Sequence, residues 1–266
     1  MSSQLPLEGL LSRPNLGVGT ALVVLSALAW LQLAGAGLDA AGAVSGHAAH
    51  AGAGMIHPAP RAWQAGDVGV VFCMWLVMAV AMMLPTAAPA ILSFADVIRG
   101  ADRASPAAGR VGAFISGYLS MWWSFGVLAT AAQWALTVAA LRIPGFRAEG
   151  PVLGGVLLVV AGLYQFSALK NLCLTRCRSP LSFFLAHWRE GTRGAFYLGL
   201  RHGSHCVGCC WALMALMLFA GAMNIAWTAA LTALMLAEKV LPGGLLVGRA
   251  LGVGLIAWGG ALLVSA

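Results

Sequence analysis

Long apolar stretches follow one another along this chain, separated by short polar segments rich in Arg, Gly and Pro. Seven runs suit a hydrocarbon layer about 30 Å thick, which takes roughly 20 residues per helix. They are Gly17 to Leu38, Val68 to Ala95, Val111 to Leu141, Val152 to Leu169, Cys206 to Met223, Ile225 to Ala237 and Leu245 to Val264. Only Asn224 separates the fifth from the short sixth, which predicts a tight turn and an antiparallel hairpin. The expected fold is all-α: a polytopic transmembrane helix bundle of about seven spans. Residues 1–16 form an N-terminal segment and 17–266 a single transmembrane domain, with loops at 39–67 and 170–205 on opposite faces.

Composition agrees with the pattern. With 61% hydrophobic and 9% charged residues and a mean hydropathy of +0.88, a water-soluble globule is excluded. No charged stretch, short apolar core and small-residue cleavage site precede the first run, so that span is expected to remain in place. Twelve of the 15 Lys and Arg fall on one side of the predicted bundle, leaving Arg61, Arg142 and Arg147 on the other. By the positive-inside rule the N-terminus and the 170–205 loop are cytoplasmic and the 39–67 loop is extracytoplasmic. The expected location is the bacterial cytoplasmic (inner) membrane, multi-pass, with the lipid bilayer as partner. The net charge of +7 then reflects orientation and headgroup attraction. No aromatic-interleaved basic module points to nucleic acid, and the oligomeric state stays open.

Five of the six cysteines cluster as Cys173-x-x-x-Cys177 and Cys206-x-x-Cys209-Cys210. Residues three or four apart share a helix face, so each set can present its sulfurs together. His202 and His205 lie on the same stretch as the second set. Two helical segments meeting as a hairpin would close an S₄ or S₃N site, suited to Zn²⁺ or, with fewer ligands, Cu(I). Cys73, alone in the second span, reads as a small buried hydrophobe.

Three further features bear on metal. His47, His50, Met55 and His57 lie within eleven flexible residues of the 39–67 loop, a composition that binds Cu²⁺, Zn²⁺ or Ni²⁺ without a preformed pocket. Met74, Met78 and Met82 recur every four residues of the second span with Met83 beside them, a thioether stripe that serves as a Cu(I) relay or as packing. Pro85 and Pro89 are expected to interrupt that helix. Phe183 to Phe196 reads as an amphipathic cytoplasmic helix with a solvated or headgroup-bound face, and Glu238 and Lys239 as local charge compensation or snorkelling at the interface.

The strings from Met74 to Pro85, Tyr164 to Lys170, Cys173 to Pro180, Trp188 to Gly191 and Cys206 to Met214 together resemble a bacterial family described as predicted metal-binding integral membrane proteins, a domain of unknown function. The resemblance runs from about residue 70 to 260. It implies Cys173, Cys177, Cys206, Cys209 and Cys210 as site residues, with Met78, Met82 and Met83 in a second signature. His202, His205 and the His47, His50 and His57 loop rest on the residue-level argument.

No Walker A lysine loop, aspartyl-phosphate motif or kinase set is present, which excludes a pump driven by its own ATP hydrolysis. No residue set supports a Ser-His-Asp hydrolase. The leading expectation is a protein that binds a soft transition metal, Cu(I) first and Zn²⁺ second, for transport, delivery or homeostasis. A membrane thiol-disulfide electron carrier is the alternative, and a scaffold docking a soluble metal-binding protein is the third.

Overall fold

The computed structural model describes residues 13–48, 62–101, 107–143, 150–220 and 224–266, and helix is the regular structure throughout them. The elements are α1 (Arg13–Ala48), α2 (Ala65–Met78), a π-helical turn (Ala79–Met83), α3 (Leu84–Ala101), α4 (Ala107–Arg142), α5 (Pro151–Tyr164), α6 (Ala168–Arg178), α7 (Pro180–His187), α8 (Gly191–Ala215), α9 (Met217–Ala220), α10 (Ile225–Val240) and α11 (Gly244–Val264).

Among the described residues, four helical stretches are long and apolar enough to cross a membrane: Leu16–Ala36, Gly66–Gly100, Ala107–Arg142 and Gly244–Val264. A fifth results if α5 and α6, bent by 65° at their junction, count as one broken span. The outer faces are apolar: Val23, Leu28 and Leu31 on α1, Val127 and Leu128 on α4, and Leu246, Val253 and Trp258 on α11 are all exposed. The core is filled by Trp75, Met78, Met82, Met83, Phe94, Phe114, Tyr118, Trp122, Phe183 and Phe184.

Pro85 and Pro89 do not break the second span. Leu84 to Ala101 is helical through both prolines, and the accommodation lies one turn earlier, where the ladder opens into the π turn. Pro85 has no N–H to offer the Ala81 carbonyl four residues back, and its ring crowds that carbonyl. The Trp30 indole N–H from α1 donates to it instead, at 2.9 Å. Such π turns are rare and frequently mark functional positions.

Small residues set the closest helix contact. α4 packs along α8, where a Cβ on Gly117 would run into the Phe196 carbonyl and one on Gly199 into the Phe114 carbonyl. A Cβ on Gly203 would lie 2.9 Å from the Tyr118 carbonyl oxygen. Small residues allow apolar helices to approach backbone to backbone, and here the approach brings Tyr118 against the cysteine-bearing segment.

The 170–205 region is not a loop. α6, α7 and the first half of α8 fill it, and Cys206 lies mid-helix, 15 residues after Gly191. The amphipathic helix expected over Phe183–Phe196 is divided in two: α7 ends at His187, residues 188–190 are extended, and Gly191 turns the chain with φ 74°. Phe183 and Phe184 are fully buried rather than solvated, because they pack against Phe94, Phe114 and His202.

Candidate metal centre

α6 carries Cys173 and Cys177 one turn apart, and α8 carries Cys206, Cys209 and Cys210. α6 packs along α8, aided by Gly208, where an added Cβ would lie 2.6 Å from the Cys173 sulfur. The Tyr164 hydroxyl, from the end of α5, donates to the Gly208 carbonyl at 2.5 Å and fixes the same junction.

The sulfurs of Cys177, Cys206 and Cys209 all lie within 4.8 Å of one another. Cys177 Sγ and Cys209 Sγ are 4.0 Å apart. Two sulfurs bound to one ion at about 2.3 Å stand roughly 4 Å apart, so the Cys177–Cys209 separation suits a shared ion. Cys206 and Cys209 are almost completely buried, and Cys177 is half-buried.

The other cysteines differ in placement. Cys210 Sγ is 3.3 Å from Cys209 Sγ but falls outside the group whose sulfurs all lie within 4.8 Å. Cys173 is buried against Gly208 one turn from Cys177 and is likewise outside that group. Cys73 is exposed on α2, not buried as its place in a span suggested. The described cysteines are all free thiols.

Around Cys206 stands a polar set that no local pattern announces. Lys239 Nζ, from α10, donates to Cys206 Sγ at 3.1 Å and to Thr86 Oγ1 at 2.7 Å. The Thr86 hydroxyl donates to the Met83 carbonyl at 3.0 Å, with Met83 Sδ at 4.0 Å. Tyr118 donates to the same carbonyl at 3.0 Å and lies 3.1 Å from Cys206 Sγ. The π turn and the thiol cluster are therefore one contiguous unit.

The methionines lie largely inside this unit: Met78, Met82 and Met83 are fully buried and Met74 is half-buried. His202, one turn before Cys206, is buried in an aromatic box of Phe114, Tyr118, Phe183 and Phe184, and its Nδ1 has no hydrogen-bond partner among the described residues. His205 is half-buried at the rim, its ring 5.7 Å from that of Phe183. His187 packs on Phe183 as well, at 5.1 Å. His47, expected in a loop, lies in the last turn of α1, with its side chain outside the described residues, and His50, Met55 and His57 lie outside them altogether.

Glu238 and Lys239 do not compensate each other. Both Glu238 carboxylate oxygens accept from Lys170 Nζ at 2.8 Å, and Lys170 also donates to Gln165. This ion pair is fully buried at the bend between α5 and α6. Arg178 caps the end of α10, donating to the carbonyls of Glu238, Leu241 and Pro242. The signal that points to these groups is the presence of ionisable residues at all in so apolar a chain, since such residues are costly and mark functional positions.

Three thiols converging in the interior of an apolar, helical structure are a donor set suited to a soft metal. The model of the PpoB2 family, described as copper chaperone, matches residues 72–262, and the chain belongs to that family. Its matched segment contains all five clustered cysteines and the π turn. No curated protein and no solved structure matches the chain.

Proposed function

We propose that the chain is an integral membrane copper-binding protein that holds Cu(I) between Cys177, Cys206 and Cys209 and delivers it. The observation that carries this reading is the convergence of thiols from two helices within 4.8 Å in the interior of a copper chaperone family member. Soft thiolates select Cu(I), which accepts low coordination numbers. The buried methionines Met78, Met82 and Met83 extend the soft-ligand lining away from the thiols, and the His47, His50 and His57 segment serves as the collection point on the opposite face.

The bilayer reading and the inner-membrane location are supported by the four or five long apolar helices among the described residues and by their exposed apolar faces. Arg176 and Arg201 lie near His205, and this basic rim is where a soluble metal-binding partner would dock. The thiol-disulfide alternative is less favoured, because Cys73 stands alone on α2 as the one cysteine outside the cluster.

Anaerobic purification followed by elemental analysis tests the reading. We expect one copper per wild-type chain and close to none in a Cys177→Ser, Cys206→Ser, Cys209→Ser variant. Equal copper in both would remove the thiol site.

A further inference from the structure

Lys239 is one of two lysines in the chain, and its ammonium is nearly buried with an unusual set of partners. Lys170, the other lysine, takes both carboxylate oxygens of Glu238. Lys239 is left with the sulfur of Cys206 and the hydroxyl of Thr86. The hydroxyl is oriented by its own donation to Met83, so its oxygen is free to accept from the ammonium. The charge is thus built into the wall of the thiol cluster.

We propose that Lys239 is a specificity-determining residue of this site, selecting a monovalent soft ion over a divalent one. The proposal rests on the copper-binding reading of the three thiols. Two properties of an ammonium carry it. It has three donors and no lone pair, so it supplies no fourth ligand where Zn²⁺ asks for four. It also repels the bound ion in proportion to that ion's charge. An ion about 2.3 Å from Cys206 Sγ lies within about 5.4 Å of Nζ. At an effective dielectric near 20, the extra unit of charge on a divalent ion there weakens its relative affinity on the order of 100-fold. The ammonium also favours thiolates, which helps every metal alike, so the selective effect appears in the ratio of affinities.

The test is chelator competition on the full-length protein in detergent, under anaerobic conditions, with Cu(I) and Zn²⁺ measured separately. Lys239→Leu is expected to move the Cu(I) to Zn²⁺ affinity ratio toward zinc by about tenfold to 100-fold, and Lys239→Arg to hold the wild-type ratio within about threefold. Thr86→Val, which releases the ammonium without removing it, is expected to move the ratio the same way by a few-fold and stands in should Lys239→Leu fail to fold. A wild-type ratio in the Lys239→Leu protein, or in Thr86→Val if that is the one that folds, would overturn the proposal. A Cys177→Ser, Cys209→Ser protein separates the two claims. If it binds Cu(I) as tightly as wild type, the thiol site fails and the lysine proposal with it; if it loses Cu(I) while Lys239→Leu keeps the wild-type ratio, the lysine proposal fails alone.

Discussion

Lys170 and Lys239 are buried ammonium groups answered in different ways. Lys170 meets a carboxylate, held by Gln165 at the bend between α5 and α6. Removing one member of a fully buried pair leaves the other charge uncompensated, a loss of about 3–5 kcal/mol, whereas replacing both by apolar residues is often neutral. Lys170→Met and Glu238→Leu are each expected to lower the thermal midpoint in detergent markedly, and the double variant to recover most of the loss. A double variant as unstable as the sum of the singles would show that the pair is not coupled. Trp30 supports a different weak point, the Ala81 carbonyl left open by Pro85. Trp30→Phe keeps an aromatic ring but removes the donor and some packing volume, so it should cost about 1–3 kcal/mol, read as a lower denaturation midpoint. These contacts join residues 51 and 68 positions apart, and no local spacing in the sequence announces them. Lys170 and Lys239 also count toward the charge bias that orients the predicted bundle, yet both are inside it. Ten basic residues still stand on that side against three.

At the scale of elements, the thiol geometry depends on how closely α4, α6 and α8 approach. Gly199 faces the Phe114 carbonyl with no room for a methyl group. Gly199→Ala should therefore push α4 from α8 and carry Tyr118 away from Cys206, at a cost of about 1–3 kcal/mol and with weaker Cu(I) retention. Gly208→Ala acts more locally, since its methyl group would meet the Cys173 sulfur, a side chain that can rotate. A smaller loss of stability is expected there, measured by the same thermal melt. The helical spacing of both cysteine sets was legible in the sequence, and so was their meeting, although a further helix, α7, stands between the two where a hairpin turn was expected. What the spacing left open was which sulfurs converge. Cys173 and Cys177 share a face, but the contact at Gly208 takes Cys173 and leaves Cys177 to the trio. The π turn was less legible still: prolines at 85 and 89 signal a disturbance, and only the packing of Trp30 shows that it falls before them.

For the whole molecule, the structure unites a buried thiol cluster, a π turn lined by methionines and an apolar exterior. The apolar runs showed the helical class plainly, because period and hydropathy depend on sequence alone. Their number is another matter: α8 begins far upstream of the apolar run that marked it, since its first half is polar along one side and buried along the other. Metal binding to the folded state alone would stabilise the entire chain by mass action. Cu(I) is therefore expected to raise the thermal midpoint of wild type and leave that of the Cys177→Ser, Cys206→Ser, Cys209→Ser variant unchanged. The most direct measurement is X-ray absorption at the copper edge on the protein loaded with one equivalent of Cu(I). Three sulfurs near 2.3 Å in wild type, falling in number in Cys177→Ser, are the predicted result; a shell of nitrogen or oxygen, or a spectrum unaltered by the substitution, would contradict the account.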